Sequence, residues 1–341
     1  MRKFRRILMI LILLLLTACG RVTEEEARQA LHNNLVKRYG EEFEIGYMGR
    51  RSDGKETWYE AEIYPSKYKG TPREYDKYYR SSGSVDIKKG IFGESIDYVG
   101  DIYRLVLINE SANEFYLPKL KELFGENVLP VLEIDISELE IVPNFIADYK
   151  EGLEKNQRPK IKGGIYIFGR VENDEDREWY RKQIYEFVQF MKQTGTFEYV
   201  DLSFQILDER ILIKEFDEIK PLLINHFNTS ANSEEFLKYR EKELNKLNEK
   251  YKQLTLDDKK NKINNYSKSE ISKFNNDRFL GYTALYHTVI RSPKFLKNES
   301  RLSKYKILEY KSKDEIKLLN TIKIIFDEYD KEKIYKNEWG D

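Results

Sequence analysis

The sequence predicts an α+β protein: one or two small domains of mixed sheet and helix, followed by a mostly helical C-terminal domain. Three observations predict it. Residues 56–64 alternate, with Thr57, Tyr59, Ala61 and Ile63 on one side and Trp58, Glu60, Glu62 and Tyr64 on the other. That is the period of a half-buried strand. Residues 164–207 read as strand, capped helix, glycine stop and strand. From 231 onward helix caps dominate and the charge changes sign: 231–341 carry 25 basic and 19 acidic residues, while the whole chain balances 59 against 59. These shifts divide the chain into 19–154, 155–230 and 231–341, with residues 1–18 set apart.

The first helix is expected over 22–40. Thr23 and Glu26 form a capping box, Ala27, Ala30, Leu31, Leu35 and Tyr39 share a face, and Gly40 stops it. Phe43 to Met48 reads as a strand and Ser52-Asp53-Gly54-Lys55 as a turn, so 43–64 form a hairpin. Residues 65–85 break the pattern with Pro65, Gly70, Pro72 and Gly83 among Tyr68, Tyr75, Tyr78 and Tyr79. A loop of this length is often functional or mobile, and its tyrosine rings suit sugar stacking or protein contact; folded back on the sheet, it would instead half-bury its tyrosines. Tyr98 to Ile108 reads as a strand, Ser111 to Phe124 as a helix kinked or shortened by Pro118, and Val131 to Ile136 as a strand. A short helix near Pro143 and a linker at 155–159 follow.

Next come a strand over Gly164–Val171, a helix from Asn173 to about Gln193 stopped by Gly195, and a strand over Phe197–Leu207. Ile102–Ile136 and Ile165–Leu207 share a strand, helix, glycine turn, strand layout; this is either a duplication or convergence on a common unit. Beyond 231, helices are expected over 232–254, after Thr255, after Ser267, over Phe279–Ile290 and over 312–329.

The first twenty residues are of another kind. Arg2, Lys3, Arg5 and Arg6 precede an apolar run from Ile7 to Leu16, then Thr17-Ala18-Cys19-Gly20. A basic start, a short apolar core and small residues mark a secretory signal. About ten apolar residues are too few to span a bilayer of ~30 Å. Leu16-Thr17-Ala18-Cys19 resembles the lipobox of bacterial lipoproteins, and Cys19 is the one cysteine of the chain. The resemblance implies that residues 1–18 are removed and that Cys19 carries two acyl chains on sulfur and a third on its amine. Localisation would be a cell membrane or outer membrane, lipid-anchored outside the cytoplasm. A sole, acylated cysteine leaves no thiol nucleophile and no disulfide.

Catalytic motifs are sparse. His32, His226 and His287 are far apart, with no metal-ligand spacing, so neither metal nor other cofactor is expected. The glycines of 163–169 do not space as a dinucleotide loop. Glu133 with Asp135, and Asp97 with Asp101, are the carboxylate pairs that could serve acid–base work. The sequence reading is therefore a membrane-tethered binding module, with Trp58, Tyr68, Tyr75, Tyr78 and Tyr79 as contact residues for an envelope protein, peptidoglycan or a toxin, and no nucleic-acid role. The alternative is a carboxylate hydrolase of envelope sugar or peptide.

Overall fold

The computed structural model describes residues 20–91, 93–137, 143–213, 234–272, 284–292 and 294–295. Cys19, His226 and the helix expected over 312–329 lie outside the described residues. The chain is α+β. It divides into two compact units, Met1–Leu107 with Glu140–Pro143, and Ile108–Leu139 with Asn144–Asp341.

The first unit begins with α1 (Glu24–Tyr39), whose capping box is made by Thr23 and Glu26 and whose C-terminus ends on left-handed Gly40. Four strands follow as an antiparallel meander: β1 (Phe43–Ser52), β2 (Thr57–Pro65), β3 (Ser81–Gly90) and β4 (Gly93–Asp101). The helix covers one face. Ala27, Leu31 and Leu35 meet Tyr59, Ala61, Ile63, Val85 and Ile87 in one core. The alternation of 56–64 is reproduced, with Thr57, Tyr59, Ala61 and Ile63 buried and Glu60 and Glu62 exposed.

The second unit is built differently. After α2 (Tyr103–Phe124) come β5 (Val128–Asp135), α3 (Phe145–Glu154), β6 (Lys160–Gly169), α4 (Asp174–Thr194) and β7 (Val200–Asp208). Then follow α5 (Glu234–Gln253), α6 (Leu256–Asn264), α7 (Lys268–Ser272) and β8 (Ala284–Arg291). The sheet order is β5-β6-β7-β8, with β6 and β7 parallel and the outer pairs antiparallel. α4 carries the crossover that a parallel pair requires. Its apolar stripe of Ile184, Phe187, Val188 and Met191 joins Ile165, Phe204 and Ile206 in the core. The outward amides of edge strand β5 are not left to solvent: Asn109 and Asn113 of α2 accept from Ile134 and Leu132 at 2.7 and 3.2 Å.

Several expectations change. α2 runs as one helix through Pro118, and β3 begins at Ser81, inside the loop expected over 65–85. The strand read over Tyr98–Ile108 splits into the end of β4 and the start of α2, because Asp101 accepts the Tyr103 amide at 2.9 Å and opens a helix. Residues 102–108 are then not a strand, which removes the duplicated layout. Of Phe279–Ile290, read as a helix, residues 284–290 belong instead to β8, because β7 offers a free edge; 279–283 lie outside the described residues. The described boundary falls at 107 rather than at 154 and 230, since β3 and β4 complete the first sheet and β8 returns to the second.

Candidate functional site: the open face of the first sheet

The face of the first sheet turned away from α1 can be laid out from strand register. Arg51, Trp58, Asp86 and Tyr98 are cross-strand partners and form one row. Gly49, Glu60, Ser84 and Gly100 form the next. A bulge between Ile45 and Met48 turns Tyr47 outward, 85% exposed. Tyr98 is 59% exposed and Trp58 half-buried.

Both tyrosines lie along a glycine. A Cβ on Gly49 would stand 3.4 Å from the Tyr47 ring, and one on Gly100 would stand 2.6 Å from the Tyr98 ring. The missing side chain at 100 is what lets the ring rest on the backbone. Glu60 and Glu62 are exposed on the same face, and Arg51 lies 3.8 Å from Glu60. The result is a flat surface with aromatic rings, small residues and acceptor oxygens.

The tyrosine loop caps the far end of this face. It folds into two short 3₁₀ turns, Ser66–Tyr68 and Lys77–Tyr79. Tyr68 and Tyr79 are buried, their rings 5.3 Å apart, with the Arg73 guanidinium 5.4 and 4.7 Å from their centres. Tyr78 packs edge-on against Tyr79 and is half-buried. Tyr68 and Tyr79 thus have no face to offer, and the folded-back alternative describes them. Tyr75 alone among the four stays open, 78% exposed. Arg80 connects it to the sheet: the guanidinium stands 4.7 Å from the Tyr64 ring and 6.0 Å from the Tyr75 ring and pairs with Glu62.

The opposite end of the sheet holds the start of the described chain. Gly20 bridges Gly93, and its carbonyl accepts the Glu94 amide at 3.0 Å. The Val22 amide donates to the Glu94 carboxylate at 3.2 Å, and the Val22 carbonyl accepts the Tyr59 hydroxyl at 2.9 Å. Arg50 closes the clamp on Glu94 at 2.7 Å, and its hydrogen bond holds the Glu94 carboxyl below the ordinary carboxylate range.

The carboxylate pairs do not converge. Asp101 accepts from Tyr39 at 2.6 Å and pairs with Arg38 at 2.8 Å, so it holds α1 to β4. Burial, and then this carboxylate, push the Tyr39 hydroxyl well above its ordinary range. Glu133 and Asp135 are exposed on one face of β5, with Lys162 3.3 Å from Asp135. Glu133 borders a cleft of about 410 Å³ on the second sheet with Tyr166, Asp201, Ser203, His287 and Arg291. Its second acid, Asp201, is bound to Arg291 at 2.7 Å. His287 lies on strand β8 with an exposed side chain, not in an apolar helix. His32 meets Glu42 at 2.8 Å on the surface of the first unit. Among the described residues no three His, Cys, Asp or Glu side chains gather as metal ligands would, and no helix is long and apolar enough to cross a membrane.

Sequence reasoning found Trp58 and Tyr75 on this surface and missed Tyr47 and Tyr98. A signal was present. Tyr47 and Tyr98 each begin a Tyr-x-Gly triplet, and on a strand the first and third residues share a face.

No family model matches the chain, and no curated protein matches it. Among solved structures, a DUF5037 family protein from Ruminococcus gnavus aligns with 57% of this chain and 78% of that one, at 15% identity and a TM-score of 0.32. A match this loose defines neither fold nor function.

Proposed function

We propose that the protein is a lipid-anchored envelope lipoprotein whose first unit is a binding module for an envelope glycan. The observation that carries the binding role is the open face itself, with Tyr47, Trp58 and Tyr98 exposed or half-exposed beside Glu60, Glu62 and Asp86. Flat rings stack on the C–H faces of sugars, and carboxylates accept sugar hydroxyls. Three large rings on the solvent face of one small sheet make the kind of surface patch that marks an interaction site.

The anchor rests on the basic start, the short apolar core and Cys19. The described chain is clamped to the sheet from Gly20 onward, so the tether between Cys19 and the first unit is short. The strands run from that clamp to the Tyr75 loop. β2 has nine residues, which places the loop about 30 Å from the anchored end.

Two experiments test the two halves. Metabolic labelling with a palmitate analogue marks the wild-type chain and not Cys19→Ser. Co-sedimentation of the full chain with purified envelope glycan is retained by the wild type. It weakens roughly tenfold or more in the Trp58→Ala, Tyr98→Ala double variant, the scale of one or two stacking contacts. Unchanged sedimentation removes the open face from the proposal. Loss of an envelope protein from a pull-down, with glycan binding intact, keeps the face and changes the partner.

A further inference from the structure

We infer that the turn joining β3 to β4, with Ile91 at its tip, enters the outer layer of the membrane beside the acylated Cys19. The inference rests on the lipid-anchor reading above and adds which surface the bilayer touches.

Cys19 immediately precedes Gly20 in the chain. Gly20 is fixed beside Gly93, two residues past Ile91 in the chain. Acyl chains that enter a bilayer from Cys19 therefore bring the β3–β4 turn to the same surface, with no spacer to hold it off. Ile91 is 92% exposed, an apolar side chain without cover. Lys88 and Lys89, both exposed, stand just behind it on β3. An apolar tip backed by lysines matches hydrocarbon below and anionic headgroups around it.

The neighbouring elements decide how much the charge contributes. The β1–β2 turn lies at the same end, because Thr57 pairs with Ile87, and it adds Lys55. Its Asp53 carboxylate is turned inward, accepting the Lys55 and Glu56 amides at 2.9 and 2.8 Å. Glu24, Glu25 and Glu26 open α1 nearby. Glu24 pairs with Arg28 at 3.1 Å, and Glu26 bends back to Thr23 at 2.8 Å. With acids and lysines at one end, the anionic-lipid term is modest and the apolar tip dominates.

The test uses the full acylated chain in vesicles of phosphatidylcholine and phosphatidylglycerol whose acyl chains carry bromine, a short-range quencher. Trp is placed at 91 by Ile91→Trp, and the wild-type emission is subtracted. The expected result is a blue-shifted difference spectrum quenched roughly twofold or more, as for a side chain buried 5–10 Å into the headgroup–acyl boundary. Tyr75→Trp, at the opposite end of the strands, should show no such quenching. An unquenched Trp at 91 on a chain whose mass shows acylated Cys19 overturns the inference and leaves the anchor standing. A Cys19 without acyl groups overturns the anchor, and this inference with it.

Discussion

The two four-stranded sheets of this chain bury themselves in opposite ways. The first is an antiparallel meander with a single helix on one face, so β2 alternates buried and exposed along most of its length. The second contains a parallel pair, and β7 buries all but one of its nine residues. A strand buried on both sides reads as a continuous apolar run, and a half-buried one as alternation. The first sheet keeps one face that α1 does not cover, and the proposed binding role rests on that face. The second uses its surfaces to hold itself together, and its sheet-face cleft is bordered by an acid already bound to arginine.

The largest effect should come from breaking the second sheet. Gly163 sits at φ +120°, and a Cβ there would stand 2.2 Å from the Val131 carbonyl oxygen of the neighbouring strand. Both strain and clash are backbone-borne, so no side chain can relax them. Gly163→Ala should lower the stability of the second unit by about 3 kcal/mol or more. Denaturation followed through Trp179 should shift while that followed through Trp58 does not. If both transitions move together, the two units unfold as one and the contrast between them is lost.

Leu31→Ala is the matching cut in the first unit. Leu31 is fully buried under α1 against the sheet. The expected loss is about 2–5 kcal/mol, felt at Trp58 and not at Trp179.

The contrast between the sheets also explains what was legible in the residues. α1, the β1–β2 hairpin and the β6-α4-β7 unit announce themselves through capping boxes, alternation and a glycine stop. β3 and β4 do not. Gly83, Gly90, Gly93 and Gly100 punctuate them, and glycine is depleted in strands. Their reasons are tertiary: a Cβ at Gly83 would stand 2.8 Å from Leu31, and Gly100 carries the Tyr98 ring. The apolar residues of β8 have no period that separates strand from helix, and pairing with β7 decides it. For the open face, the sequence points to Trp58 and Tyr75 as contact residues only together with Tyr68, Tyr78 and Tyr79. Tyr68 and Tyr79 were indistinguishable from Tyr75 in sequence, because what buries them is Arg73 and each other.

A smaller effect is expected at the clamp on Val22. Arg50→Ala removes the partner of Glu94 and should weaken the hold on Gly20–Val22 by about 1–3 kcal/mol. The pH dependence has a defined sign. The Arg50 guanidinium first, and the Val22 amide after it, hold the folded Glu94 carboxyl below the ordinary carboxylate range, so Glu94 of the unfolded chain is the better proton acceptor. The stabilisation is complete above about pH 4.3 and is lost as pH falls through the lower folded value. The destabilisation of the first unit by Arg50→Ala, read from denaturation followed through Trp58, should therefore be constant near neutral pH and shrink on the acid side of that point. A destabilisation that already shrinks near neutral pH would mean that another group controls the pair.

The smallest change in stability should accompany the largest change in binding. Trp58→Ala with Tyr98→Ala removes one ring that is half-buried and one that is mostly exposed, so the first unit should lose no more than about 1 kcal/mol. Tyr68→Ala removes a buried ring and should cost about 3 kcal/mol or more. The open-face pair deletes two rings and Tyr68→Ala only one, yet the single buried ring should cost more, which separates the two uses of the unit. If the open-face pair proves as destabilising as Tyr68, those rings are packing, and the face is a core that another part of the molecule covers. If the pair is nearly neutral to folding yet abolishes sedimentation with the glycan, the rings are held on the solvent face for a partner, because folding gives them no other reason to be there.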